Sequence, residues 1–326
     1  MCAGTESKSL SRRCFVGYGA ASALLTPAGL AQTIAPPLPG VPEDEAARIA
    51  ASTDAAEHMT IPVMINGRGP YRFVVDTGAD RSVLADDVAV SLGLVRGNDV
   101  MVQGVVRSVN TRVVALANVS FGSITKYNLS MPLLSRNLMG ADGYLGLDAV
   151  DGSRVTLDFA NRVLKISYPR PRSAFVRPRL SEAYVPVRGD MGHLRSLNCR
   201  VDGIATTCFL DTGAEISVGN SRLFEALVAR NTHVPTFGDL PITGITGGAI
   251  MAKVIQVASI QLHGVGFSYA NIAIADMQIF DVWGLTRTPA LLIGMNFLRQ
   301  FAQVSIDYGT KEIRFDLASL RVASTG

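Results

Sequence analysis

The sequence predicts an all-β protein made of two copies of one lobe, and three observations carry that expectation. Thirty-one glycines and 15 prolines in 326 residues supply the turns that many short strands need. β-Branched alternation marks strands, as in Thr111-Arg112-Val113-Val114 and Lys253-Val254-Ile255-Gln256-Val257, whereas helical character is confined to residues 86–92, 221–230 and the turn after Asn296. Above all, the chain reads twice from Thr60 onward.

Each copy opens with a strand, a tight turn and a second apolar strand ending in aspartate. The first has Ile65-Asn66-Gly67 and then Phe73-Val74-Val75-Asp76-Thr77-Gly78-Ala79-Asp80. The second has Val201-Asp202-Gly203 and then Cys208-Phe209-Leu210-Asp211-Thr212-Gly213-Ala214-Glu215. Asn-Gly and Asp-Gly between apolar runs are hairpin signals. Downstream, Gln103-Gly104-Val105-Val106 matches the Gly-rich Thr243-Gly244-Ile245-Thr246-Gly247-Gly248, and residues 117–122 match 259–264. Tyr144-Leu145-Gly146-Leu147-Asp148 matches Leu292-Ile293-Gly294-Met295-Asn296, and Leu157-Asp158-Phe159 matches Ile306-Asp307-Tyr308. The shift grows from 135 residues (76 to 211) to 149 (157 to 306), so a whole domain is duplicated.

The chain divides accordingly. Lobes are expected at residues 60–168 and 184–318, joined at 169–183 by Pro169-Arg170-Pro171-Arg172 and Arg177-Pro178-Arg179, a stiff solvated connector. Residues 32–59 form a lead segment, either a spacer or a removable pro-segment. Pro42 followed by Glu43, Asp44 and Glu45 favours a short helix there. Ser11-Arg12-Arg13-Cys14-Phe15-Val16-Gly17 resembles a bacterial twin-arginine export signal. The apolar run after it is too short to span a bilayer, and small residues before Gln32 suit signal cleavage, so residues 1–31 read as a leader. A periplasmic or secreted protein is expected.

Removing that leader leaves 27 basic against 26 acidic residues, without the basic excess of a nucleic-acid binder. No apolar run in the mature chain reaches the roughly 20 residues of a membrane span. Cys199 and Cys208 flank the second hairpin turn; a disulfide and a pair of small buried apolar residues are both open readings. His58, His193, His233 and His263 lack metal-ligand spacing and read as structural, so neither metal nor cofactor is expected.

Two copies about an approximate two-fold axis would bring Asp76 and Asp211 face to face. Carboxylates about 3 Å apart cannot both ionise, so such a pair shares one proton. The ionised member can take a proton from water while the protonated member donates to an amide carbonyl. Thr77, Gly78, Thr212 and Gly213 suit support of that dyad: glycine admits close backbone amides, and threonine hydroxyls can bond across to the opposite loop.

These motifs resemble the retropepsin group of aspartic peptidases over residues 60–166 and 184–316. The resemblance implies two β-barrel lobes about a pseudo-two-fold axis, with an active-site cleft between them and endopeptidase activity. It makes the glycine hairpins flaps, with Gly104, Val105 and Val106 in one and Gly244, Ile245, Thr246, Gly247 and Gly248 in the other closing over substrate. It also makes Asp80 and Glu215 acceptors for the amides of an extended polypeptide, and the Gly146 and Gly294 segments parts of a ψ-shaped loop. Val106, Ile245 and Leu84 would border the pockets. Retroviral members dimerise to complete one dyad; both copies here lie in one chain, so dimerisation is not required. Ala79 and Ala214 stand where pepsin-like enzymes carry a hydroxyl, which implies a dyad working from mildly acidic to near-neutral pH. A catalytically quiet peptide-binding module on the same fold is the rival reading.

Overall fold

The computed structural model describes residues 14–16, 45–54, 56–150, 152–168, 182–187 and 195–316. Strands make up 54% and helices 13%, and the strands close into two six-stranded barrels. In the first, Met59–Ile65, Arg68–Val75, Gly143–Leu145, Val83–Ala85, Ile124–Leu134 and Val109–Phe121 follow one another round the wall. In the second the order is Arg195–Val201, Ile204–Leu210, Ala290–Ile293, Val218–Gly219, Val265–Ile274 and Ala249–Leu262. The short strand Cys14–Val16 lies parallel to Val265–Phe267 at the second barrel's edge.

The hairpin turns set the registers. Asn66 and Gly67 have φ of 49° and 73°, and Asp202 and Gly203 have 47° and 78°. Two successive positive φ values are what a two-residue turn needs to follow strand twist, and Asn-Gly and Asp-Gly tolerate them best. Beyond the second turn Cys199 and Cys208 are joined in a disulfide, with Cα atoms 6.1 Å apart. That resolves the two readings in favour of the bond.

Each lobe has one strand too long for its barrel. Val109–Phe121 pairs with Met59–Ile65 near Val119 and projects outward to pair with Arg96–Val102. Ala249–Leu262 does the same with Arg195–Val201 and Thr236–Thr243. The overhanging halves are the glycine hairpins expected from the sequence. Inside the barrels, Phe73, Leu84, Leu116 and Phe121 in one and Ile255, Val257, Ile260 and Leu291 in the other are buried. Leu84 therefore fills the first core instead of bordering a pocket.

A third sheet joins the lobes. Its order is Glu182–Pro186, Glu312–Asp316, Gln303–Asp307, Arg154–Asp158, Val163–Ser167 and Glu45–Ala50. The middle pair comes from equivalent hairpins of the two copies and places Thr156 opposite Ser305, their hydroxyls 2.8 Å apart.

The last strand of that sheet corrects an expectation. Residues 45–50 form a strand, antiparallel to Val163–Ser167, where the sequence favoured a short helix. Ala47 and Ile49 are buried while Arg48 and Ala50 are exposed, a period-two pattern that a waiting sheet edge rewards over local helix propensity. Residues 52–53 pair with 59–60, so the first lobe recruits part of the expected lead segment. Residues 1–13, 17–44, 169–181 and 317–318, where most of the leader, the rest of the lead segment and the connector were expected, lie outside the described residues.

Ile49 is 4% exposed and packs against Gly122. Ile49→Ala is expected to lower stability by about 2–4 kcal/mol in chemical denaturation, and Arg48→Ala by less than about 0.5.

Candidate active site

The two aspartates are carried by the same construction. Val75 and Leu210 are the buried ends of strands that run parallel to Gly143–Leu145 and Ala290–Ile293. The Asp76 N–H donates to the Leu145 carbonyl, and the Asp211 N–H to the Ile293 carbonyl, both at 3.0 Å. Below each loop a buried serine, six residues past its aspartate, accepts from the glycine N–H of the crossing segment. Gly146 donates to Ser82 Oγ at 3.0 Å and Gly294 to Ser217 Oγ at 2.9 Å. The serines in turn donate to Asp148 at 2.6 Å and Asn296 at 2.8 Å. Sequence reading paired Asp148 with Asn296 but missed Ser82 and Ser217; their common offset from the aspartates was the available signal.

The loops lock onto each other through threonine. The Thr77 N–H and Oγ1 donate to Thr212 Oγ1 at 3.0 and 3.2 Å, and Thr212 Oγ1 donates to the Val75 carbonyl at 2.7 Å. Both threonines are buried. Tyr308 Oη adds a bond to the Thr77 carbonyl at 3.2 Å, from the sheet that joins the lobes.

The glycines matter for space. A Cβ on Gly78 would lie 2.9 Å from Asp211 Cγ, and one on Gly213 would lie 2.6 Å from Asp76 Oδ2. Each carboxylate thus rests on the bare backbone of the opposite loop. Within its own loop, Asp76 Oδ1 accepts from the Gly78 N–H at 2.9 Å and Asp211 Oδ1 from the Gly213 N–H at 2.8 Å.

Burial raises both carboxyls above the ordinary carboxylate range. The Asp211 charge raises Asp76 further, well above that range, against the Gly78 and Ala79 amides. At Asp211 the Gly213 amide and the hydrogen bond with Asp76 oppose burial. The pair is therefore arranged to share one proton. Burial and then the charge of Asp76 also push the Tyr144 and Tyr308 phenols up, so both stay neutral.

The glycine hairpins meet above the two lobes' seam. Thr246 Oγ1 donates to the Arg107 carbonyl at 2.6 Å, and Arg107 Nε donates to the Thr246 carbonyl at 3.1 Å. Gly104 and Gly244 close the two tips, bonding Arg107 O at 3.2 Å and Gly247 N–H at 2.8 Å. Val106 faces Gly244 and Gly248. Ile245 packs on the first lobe's core while Val105 packs against the second's, so each tip reaches across. Asp80 and Glu215 are exposed, and their backbone carbonyls accept from the Asp148 and Asn296 amides. The second-copy insertion around Trp283 stacks on Phe209, with ring centroids 4.1 Å apart, and ties down the first hairpin through the Ile279 N–H to the Val105 carbonyl at 3.3 Å.

A family model described as aspartyl protease matches the chain over residues 61–149 and 197–297, one match on each lobe. No curated protein matches the sequence.

The raised Asp76 carboxyl has a thermodynamic sign. A carboxyl that binds its proton more tightly when folded favours the native state least above its folded value. That penalty appears as pH climbs from the unfolded value of about 4. Asp76→Asn, neutral throughout, is expected to raise Tm by roughly 2–4 °C at neutral pH, with the gain vanishing as pH falls to about 4. Thermal unfolding of both chains across that range measures it.

Proposed function

The chain belongs to the aspartyl protease family, and from that membership we propose that it is a single-chain aspartic endopeptidase whose catalytic pair is Asp76 and Asp211. The observation that carries this reading is the reciprocal approach of the two loops, each carboxylate seated on the other loop's glycine. Catalysis needs two carboxyls close enough to share a proton and partly open to solvent, and both aspartates are half-buried.

In the proposed reaction the ionised Asp211 takes a proton from a water between the carboxyls, and the oxygen attacks the scissile carbonyl carbon. Asp76 gives its proton to the carbonyl oxygen, producing a neutral tetrahedral diol. Collapse breaks the C–N bond as the proton on Asp211 passes to the leaving nitrogen and one diol proton returns to Asp76. A free amine and a carboxylic acid result, and the dyad is restored.

The substrate is an extended polypeptide lying as an added strand between the dyad and the hairpin tips. Gly104, Val105 and Val106 and residues 244–248 cover it, while Asp80 and Glu215 receive its amides. The bonds between Arg107 and Thr246 mean that the hairpins part before it enters. One chain holds both halves of the dyad, so dimerisation adds nothing to the site. Among the described residues no helix is long and apolar enough to cross a membrane. The twin-arginine-type leader at residues 1–31 directs export, which the Cys199–Cys208 bond suits. The lobes span residues 60–168 and 184–318, linked at 169–183, with residues 45–59 docked on the first.

A peptide-library digest tests this. Wild type is expected to cleave, and Asp76→Asn and Asp211→Asn each to reduce kcat/KM by about 10³-fold or more. Equal cleavage by all three refutes the dyad, and peptide binding without cleavage by wild type favours the quiet module. Because both carboxyls are raised, activity should extend from mildly acidic to near-neutral pH; an optimum confined to about pH 2–3 contradicts the assignment.

A further inference from the structure

The two glycine hairpins are not held alike. The first is fastened to the second lobe: the Ile279 N–H donates to the Val105 carbonyl at 3.3 Å, Gln278 Nε2 donates to Ser108 Oγ at 3.0 Å, and Val105 packs against that lobe's buried residues. Ser108 Oγ in turn donates to Gln103 Oε1 at 2.6 Å, which ties the two sides of this hairpin together beside its tip. Residues 243–249 of the second hairpin have no such anchor. Among the described residues their hydrogen bonds are those within their own hairpin and the pair with Arg107, and Ile245 alone packs on the first lobe's core.

The pair with Arg107 works as a clasp. Its side chain lies along the two glycines that follow Thr246. A Cβ on Gly247 would stand 2.7 Å from a terminal guanidinium nitrogen, and one on Gly248 3.1 Å from Cδ. Thr246 is only 2% exposed although it sits at the end of a projecting hairpin. Lifting the second tip breaks the two Arg107–Thr246 bonds. Lifting the first breaks the same two, and those from Gln278 and Ile279 as well.

The base of the second hairpin is also built to turn. Its strands slip register between Thr236 and Asp239, and Gly238 within that slip has φ of 95° with nothing within 4 Å of where a side chain would be. A left-handed glycine in open space is a joint that rotates without displacing neighbours. The matching slip in the first hairpin, between Arg96 and Asp99, contains no left-handed residue.

We infer that the second hairpin alone is the door to the dyad, that the first is a fixed roof, and that Arg107 is the positioning residue that clasps the door shut. The inference rests on the reading of Asp76 and Asp211 as a catalytic pair covered by the hairpins. Substrate then enters from the side of residues 243–249 and is laid against a roof that is already in place.

Distances between spin labels test this in the full chain, with Cys2→Ser and Cys14→Ser removing the two thiols outside the disulfide. One label pair, at Met251→Cys and Tyr127→Cys, spans the second hairpin and the first lobe. The other, at Met101→Cys and Tyr269→Cys, spans the first hairpin and the second lobe; all four native side chains are more than half exposed. Arg107→Ala is expected to raise the long-distance population of the first label pair by about 3–10-fold, the effect of losing one hydrogen bond of ordinary net strength. The second label pair should keep a single distance. Arg107→Gln places an amide nitrogen as many bonds from Cα as Nε and should return the first label pair to its original distribution, which a role through charge alone would not allow. A first pair unmoved by Arg107→Ala, or two pairs that broaden alike, overturns the inference. The measurement needs no catalysis: one-sided opening in a chain that cleaves nothing would keep the door and remove the endopeptidase reading, and cleavage with two-sided opening would do the reverse.

Discussion

The structure depends on two loops crossing where there is no room for a side chain. Asp76 sits against Gly213 and Asp211 against Gly78, and a single methyl group on either glycine would displace the opposite carboxylate. Everything around that crossing holds it in place. Thr77 and Thr212 bond through the seam, Ser82 and Ser217 brace the crossing segments, and the parallel strands ending at Leu145 and Ile293 hold each aspartate by its own N–H. An approximate two-fold axis imposes one rule on such a seam: a residue on the axis meets its own counterpart, so it must be able to pair with itself. Hydroxyls satisfy this because they donate and accept. Thr77 meets Thr212 beneath the carboxylates, and Thr156 meets Ser305 in the joining sheet.

Chemistry asks for the opposite of symmetry, because one carboxyl must hold the proton while the other gives it up. Thr212 accepts both Thr77 bonds and passes one to the Val75 carbonyl, which already sets the loops apart. Larger differences lie further out. The Trp283 insertion belongs to the second lobe only. Just before that insertion, Gln278 Nε2 donates to Ser108 Oγ at 3.0 Å, next to the bond from Ile279 to Val105. The hairpin of the first lobe is therefore fastened to the second lobe. The seam repeats in both copies, while its surroundings differ between the two lobes.

Much of this was legible in the sequence because repetition is a strong signal. Asp76 and Asp211 recur within the same Asp-Thr-Gly-Ala loop, the turn pairs Asn66-Gly67 and Asp202-Gly203 answer to local backbone demands, and Gly146 and Gly294 recur where the backbone after each aspartate leaves no room for a side chain. What escaped depended on tertiary context. Residues 45–50 look helical locally and become a strand only because the edge at Val163–Ser167 is open to them. Ser82 and Ser217 are ordinary loop serines until the crossing segments pass over them. The family resemblance put Leu84 at a pocket's border, yet Val83–Ala85 is a strand buried along its whole length and Leu84 lies in the core. The disulfide stood between: the Asp202-Gly203 hairpin made it feasible, and the register shift between Ser196 and Cys199 was needed to settle which side chains meet.

The central claim is that both halves of one catalytic pair reside in a single chain. Mixing the two inactive variants tests it most directly. Asp76→Asn and Asp211→Asn, combined in equal amounts, unfolded together and refolded, are assayed beside active wild type treated in the same way. A site formed within each chain predicts a mixture as inactive as either variant alone, with wild-type activity per chain independent of protein concentration. Recovery of a substantial fraction of wild-type activity would mean that an intact Asp76 from one chain meets an intact Asp211 from another, and would contradict the account.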